Sequence, residues 1–264
     1  MSISNGRMSG RLQEGLGRDP VRDDPTIEKD ARPLGATPTL DLSPGGALLR
    51  HTREARDIGD GASLEREEQL DHHYARTPDL APICSTANHE LEGSKLVSAA
   101  NAILADDLLS DARRNWSGLT TDEREGALRR AYGIYLDRTG YASLAAQPIT
   151  FVDTPCGEVT VYGYFDGSAI RLNRNECVLG MEHFEEAVGT LVHEHTHALQ
   201  ASKTYRWLVE RTNPELAAAL ATNDRLGYRQ VGRSFEAYKR QPIEQHARSR
   251  KDLFLAAVRV RRMA

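Results

Sequence analysis

Residues 191–200 read LVHEHTHALQ: three histidines and one glutamate within five positions, flanked by apolar residues. On an α-helix, positions four apart lie one turn above each other and about 40° apart around the axis. His193 and His197 therefore point to one place. Glu194 sits about 100° round from His193. It is close enough to reach something held there, but badly placed to hold it. His195 lies about 200° round, on the side of Leu191 and Leu199, and reads as a core histidine with a hydrogen-bond partner. Phe184, Val188, Leu191 and Leu199 supply an apolar face, and the pattern predicts a helix over residues 181–203.

Two neutral imidazoles at this spacing are a metal site in the making. They leave Zn²⁺ with most of its charge, so that a bound water is acidified towards neutrality. A carboxylate beside that water can take its proton and return it to a leaving amine. The pattern is HExxH, with His193 and His197 as ligands and Glu194 as base. A third ligand is needed. The metzincin continuation HExxHxxGxxH is absent, with Gln200 and Lys203 standing where its Gly and His would be. The carboxylates further on are Glu210, Glu215, Asp224, Glu236 and Glu244. Glu244 is favoured because Pro242 marks the first turn of a helix that can fold back on the motif.

The rest of the chain sets the frame. Its 264 residues include 34 Lys+Arg and 38 Asp+Glu, a net charge of −4. No basic excess points to nucleic acid, and no run approaches the 18 apolar residues of a membrane span. The start, MSISNGRMSGRLQEG, lacks the apolar core of a Sec-type signal. Three cysteines, Cys84, Cys156 and Cys177, do not make a disulfide framework and read as ordinary part-buried thiols. No aromatic residue precedes Tyr74, and Gly, Pro, Ser, Arg and Asp dominate before it. Residues 1–85 are expected to be a disordered arm, with a short helix near 62–75, that adds little to stability. Residues 86–264 are expected to be the folded domain.

Within that domain, residues 95–109 place Leu96, Ala99, Ala100, Ile103 and Leu104 on one helical face. A second helix begins at Thr120 or Thr121 and stops before Gly140. PITFVD (148–153) reads as a strand. Residues 158–173 read as a hairpin about Asp166-Gly167, with Val161 facing Leu172 and Gly163 facing Ile170. Another helix starts at Asn213-Pro214-Glu215. The fold class is α+β: a small antiparallel sheet packed on the HExxH helix.

In these residues the chain resembles the gluzincin class of zinc peptidases, through His193-Glu194-His195-Thr196-His197 and Glu244. Thermolysin carries the same pattern, with its third ligand much nearer in sequence. The longer gap here is similar to the minimal gluzincins, whose last element YKRQPIEQHA would match through Tyr238, Pro242, Glu244 and Ala247. The resemblance covers residues 148–250. It implies a zincin-like domain, a zinc cofactor, a protein or peptide substrate, and a substrate-binding strand at SAIRLN (168–173). It also implies a Tyr, His or Arg that assists the oxyanion, with Tyr238, Tyr228 and His246 as candidates. A polar leader before a compact protease also resembles bacterial effectors injected into host cells. That likeness implies an export machinery or chaperone that binds the arm; the other reading is an ordinary cytoplasmic peptidase.

The expected activity is thus zinc-dependent endopeptidase. One alternative is a non-enzymatic interaction protein with a structural metal, closed by a fourth ligand such as Cys177 or His183. The other is a zinc amidohydrolase acting on a non-protein amide.

Overall fold

The computed structural model describes residues 60–153, 161–175, 179–228 and 234–260. Of the arm expected over residues 1–85, residues 1–59 lie outside these, as do Cys156 and Cys177. Within them the chain is mostly helical with one small sheet, an α+β arrangement.

Helix α1 (Asp60–Ala75) is followed by α2 (Ala81–Ala105). Pro82 lies in the first turn of α2, where a missing N–H loses no helical bond. The face anticipated from sequence is the buried one: Leu96, Ala99, Ala100 and Ile103 are at most 1% exposed. The helix ends four residues earlier than the predicted 109. Asp106 adopts an extended backbone and its carboxylate accepts the Leu109 N–H, capping the short helix α3 (Asp107–Arg114). Helix α4 (Thr121–Thr139) begins with a capping box: Thr120 takes the Glu123 N–H and Glu123 takes the Thr120 N–H. It ends at Gly140, whose φ of 73° suits glycine. The single turn α5 (Ala142–Ala145) leads into the sheet.

Strands β1 (Ile149–Val152), β2 (Gly163–Phe165) and β3 (Ile170–Asn173) lie in the order β1-β3-β2. The sheet is mixed, where an antiparallel one was expected: β2 and β3 form the hairpin, and β1 runs parallel to β3 on its far side. Hairpin chemistry is local and legible, whereas no tight turn ties β1 to β3, so their relative direction is a tertiary matter. The hairpin register also differs by two residues, with Gly163 facing Leu172 and Phe165 facing Ile170. The cause is Asp166. Its side chain accepts the N–H groups of Ser168 and Ala169 and the Ser168 hydroxyl, which moves the tip to Gly167-Ser168. Gly167 takes a φ of 91° there. A slip of two keeps each side chain on its predicted face. Gly163 is required for another reason. A Cβ there would come within 2.9 Å of the Arg171 carbonyl oxygen and 3.2 Å of Thr190.

The single turn α6 (Leu179–Glu182) precedes α7 (Phe184–Ala201), the motif helix. Then come α8 (Lys203–Thr212), α9 (Pro214–Leu226), α10 (Phe235–Lys239) and α11 (Pro242–Val260). Ser202 caps α8 and Asn213 caps α9. The core is a helical stack. Helix α2 packs against α4 and α11, and α7 packs against α11 and α4 with β2 and β3 across it. Helix α7 is thus enclosed on several sides, as the uncharged positions flanking its motif suggest. No described helix is long and apolar enough to cross a membrane.

Residues 60–85 belong to this folded body, so the boundary expected at residue 86 falls inside α2. Tyr74 is fully buried and its hydroxyl donates to the Gly227 carbonyl at 2.7 Å. The Leu80 N–H donates to Gln245, and Arg240 donates to the Ala75 carbonyl. Cys84 is also in the core, where burial pushes its thiol up to about 12. The lone aromatic residue of a polar stretch is what anchors it. Truncation at residue 86 is expected to cost at least about 3 kcal/mol more than truncation at residue 60, because it removes a buried aromatic and its partners. Thermal unfolding of the two truncated chains checks this; equal melting temperatures would show that α1 contributes nothing.

Candidate metal centre

Helix α7 presents His193 and His197 one turn apart, and α11 brings Glu244 to them from its first turn. The His193 and His197 Nε2 atoms are 3.2 Å apart. His193 Nε2 lies 3.3 Å from Glu244 Oε2, and His197 Nε2 lies 3.4 Å from Glu244 Oε1. The two rings are nearly perpendicular, at 84°. Glu244 is fully buried, while the His193 side chain keeps 12% of its surface exposed.

The electrostatics favour a positive charge between these groups. Burial works against charge on the His197 ring, but the Glu244 and Glu194 carboxylates outweigh it and raise the ring to about 9. Burial pushes the Glu244 carboxyl up, yet His197 and His193 together hold it well below the usual carboxylate range. Glu244 Oε2 is buried and accepts no hydrogen bond. Such an oxygen is costly unless a cation meets it. Its other oxygen accepts the Tyr228 hydroxyl at 2.7 Å. The three side chains form a group that could hold a metal ion. The residues present fit one: two imidazole nitrogens and a carboxylate oxygen converge with no hydrophobic atom needed between them.

The other acidic candidates are elsewhere. Glu210 and Glu215 are exposed. Asp224 pairs with Arg206, and Glu236 pairs with Lys239 on the surface. His183, the alternative fourth ligand, is exposed at the N-cap of α7. Ten residues of helix, about 15 Å, separate it from His193. Among the described residues the group has three protein donors.

Glu194 is 6% exposed and not part of the donor set. It accepts the Phe165 backbone N–H on β2, and burial raises its carboxyl, with Glu244 adding to the shift. His195 behaves as a core residue. It is fully buried, its Nδ1 lies 3.3 Å from the Tyr135 hydroxyl, and it packs among Tyr132, Tyr135 and Tyr141. Burial pulls its ring down to about 3, so it is neutral.

Tyr228 is engaged with Glu244. His246 faces the interior, with Nδ1 on Gln200 and Nε2 on Asn88. Tyr238 is hydrogen-bonded with Tyr228 and Glu244, and burial with the Glu244 charge keeps its hydroxyl protonated. The strand expected to bind substrate, β3, is the central one and is paired on both sides. Among the described residues β1 and β2 are the outer strands of the sheet. Tyr162 and Asp166 hydrogen-bond to β3, so by alternation the Gly163 and Phe165 peptide groups face outward.

Sequence reasoning did not find the support behind the motif. Arg250 is fully buried on α11. It donates to Thr196 Oγ1 and the Tyr135 hydroxyl, and pairs with Glu92 of α2. Tyr141 donates to the same Glu92. The one available signal was the enclosed helix itself, whose buried polar side chains must find partners. Two cavities, of about 800 and 650 Å³, lie between α1 and α9 and beside α10 and α11. Neither is lined by His193, Glu194 or His197. Comparison of the chain with protein-family models, curated proteins and solved structures finds no match.

Proposed function

We propose that the chain is a zinc-dependent peptidase. The observation that carries this is the spacing of the donors. Ligands about 2.0–2.1 Å from a tetrahedral zinc lie about 3.3–3.4 Å from one another. The two imidazole nitrogens here stand 3.2 Å apart, and each meets one oxygen of the Glu244 carboxylate, His193 meeting Oε2 at 3.3 Å and His197 meeting Oε1 at 3.4 Å. Three protein donors among the described residues, one of them part-exposed, favour a catalytic zinc site, whereas structural sites are closed by four.

His193, His197 and Glu244 would hold the ion, which when bound acidifies a water and polarises the scissile carbonyl. Glu194 stands beside the donors, removes the proton as the water oxygen attacks the carbonyl carbon, and passes it to the departing nitrogen as the C–N bond breaks. Water supplies hydroxyl to the new acid and hydrogen to the new amine. Tyr238 can donate to the carbonyl oxygen as charge grows on it. On the outer side of β2, where Glu194 holds the Phe165 N–H, the Gly163 peptide group is offered to an extended peptide next to Glu194.

The test is metal content together with cleavage of a mixed peptide library. Purified protein is expected to carry about one zinc per chain and to cut peptides, and the His193→Ala/His197→Ala double variant is expected to lose both. Full zinc content in the double variant would end this reading. A zinc-loaded protein inert towards every peptide would end the peptidase part of it.

A further inference from the structure

Gln200 lies three residues after His197 and is fully buried. Its Oε1 is 2.8 Å from His197 Nδ1. Its Nε2 is 2.9 Å from the Ile243 carbonyl oxygen and 3.0 Å from His246 Nδ1. These contacts have only one consistent reading. A backbone carbonyl can only accept, so the Gln200 atom facing Ile243 is the nitrogen. The oxygen then faces His197, whose Nδ1 must carry a proton. The second hydrogen of the amide points at His246 Nδ1, which must therefore be bare. His246 Nε2 carries its proton and donates to Asn88 Oδ1 at 3.1 Å, with the Tyr205 hydroxyl 3.4 Å away. Asn88, Tyr205 and His246 are at most 1% exposed, so bulk water does not compete for these bonds.

We infer that Gln200 and His246 are positioning residues: a chain of buried hydrogen bonds running from the Ile243 carbonyl and Asn88 through them fixes the His197 ring with Nδ1 protonated and Nε2 turned to Glu244 and His193. The inference rests on the metal reading of the site. It adds that α11 contributes twice: Glu244 provides a donor, and Ile243 with His246 orients a donor on the other helix. A histidine free to rotate or change tautomer presents the wrong nitrogen for part of the time, and outer hydrogen-bond partners of this kind typically account for 10–100-fold in metal affinity.

The test uses full-length protein, zinc as the metal, a competing chelator for affinity, and ¹⁵N spectra of the imidazoles for proton position. Gln200→Met keeps the side-chain length and removes every hydrogen bond; its zinc affinity is expected to fall 10–100-fold. Gln200→Glu still accepts the His197 Nδ1 proton, so its affinity is expected to stay within about threefold of wild type. Its carboxylate can no longer donate, so His246 is expected to move its proton onto Nδ1. That shift is a spectroscopic change that a merely space-filling role would not produce. His246→Asn, which offers an oxygen near the old Nδ1 position, is expected to preserve affinity where His246→Leu lowers it. Unchanged zinc affinity in Gln200→Met would overturn the relay. Should that variant not fold, the wild-type spectrum decides, because a proton on His246 Nδ1 in the metal-free protein contradicts the assignment. Wild-type protein that takes up no zinc would remove the underlying reading instead, a result distinct from either of these.

Discussion

Exchange of Glu194 for Gln is expected to abolish peptide hydrolysis while leaving zinc content at the wild-type level. The geometry separates the two properties. Under the proposed reading zinc would be held by His193, His197 and Glu244, and Glu194 is not among them. Hydrolysis depends on a group that takes a proton from water and gives it up again. General bases contribute roughly 10²–10⁴ to rate. The loss here is expected to exceed that range, because the neutral amide also ceases to orient the attacking water. Gln is the informative substitution. Its carbonyl oxygen can still accept the Phe165 N–H that Glu194 accepts now. The β2 edge therefore stays in place, and the loss of rate is not a loss of structure. Alanine would confound the two. Turnover of a cleaved peptide and zinc per chain, measured on one preparation, decide the matter. Activity within a factor of about ten of wild type would show that another group does the proton work.

What was legible in the sequence was local. His193 and His197 are one helical turn apart, so their convergence follows from helix geometry alone. Glu244 was reachable because Pro242 and an acid in the next turn announce a helix N-terminus, and that helix had to pack on something. Thr120 with Glu123, Gly140, and Asn213 before Pro214 placed three helix ends correctly, since caps are short-range chemistry. Interactions between distant segments were not legible. The parallel pairing of β1 with β3 has no turn to mark it. The hairpin register turned on the Asp166 side chain competing for the tip, a contest that the Asp-Gly pair alone does not reveal. Gln200 was read only as the residue standing in place of a metzincin glycine. Its actual role needs Ile243 and His246, which a separate helix supplies. Tyr74 looked like the tail of a polar arm, and its partner Gly227 lies at the end of α9. Side chains that bridge helices leave no period in the sequence to read.

Arg250 is the sharpest instance, and its removal should have the largest effect on stability. It lies in ARSRKD, a run that reads as the solvated side of a helix, yet it is fully buried. Burial disfavours charge on both Arg250 and Glu92, lowering the guanidinium and raising the carboxyl. Their mutual contact is what keeps the pair tolerable in the core. Arg250 also fixes the motif helix from behind, through Thr196 Oγ1 at 3.1 Å and the Tyr135 hydroxyl at 3.1 Å, the latter also facing His195. Arg250→Met keeps most of the volume and removes the charge, leaving Glu92 buried without its cation. Breaking a buried pair from one side costs about 3–5 kcal/mol. Urea denaturation of the metal-free protein is expected to show a loss of that size with an unchanged slope. The second change tests the cause. Glu92→Gln can still accept from Tyr141 but carries no charge, so Arg250→Met/Glu92→Gln is expected to recover a large part of the loss. If the stranded carboxylate is the source of the cost, the double variant is more stable than Arg250→Met alone. If instead the two changes simply add, the cost lies in the lost bonds to Thr196 and Tyr135, and the pair is incidental to the stability of the helix that carries His193 and His197.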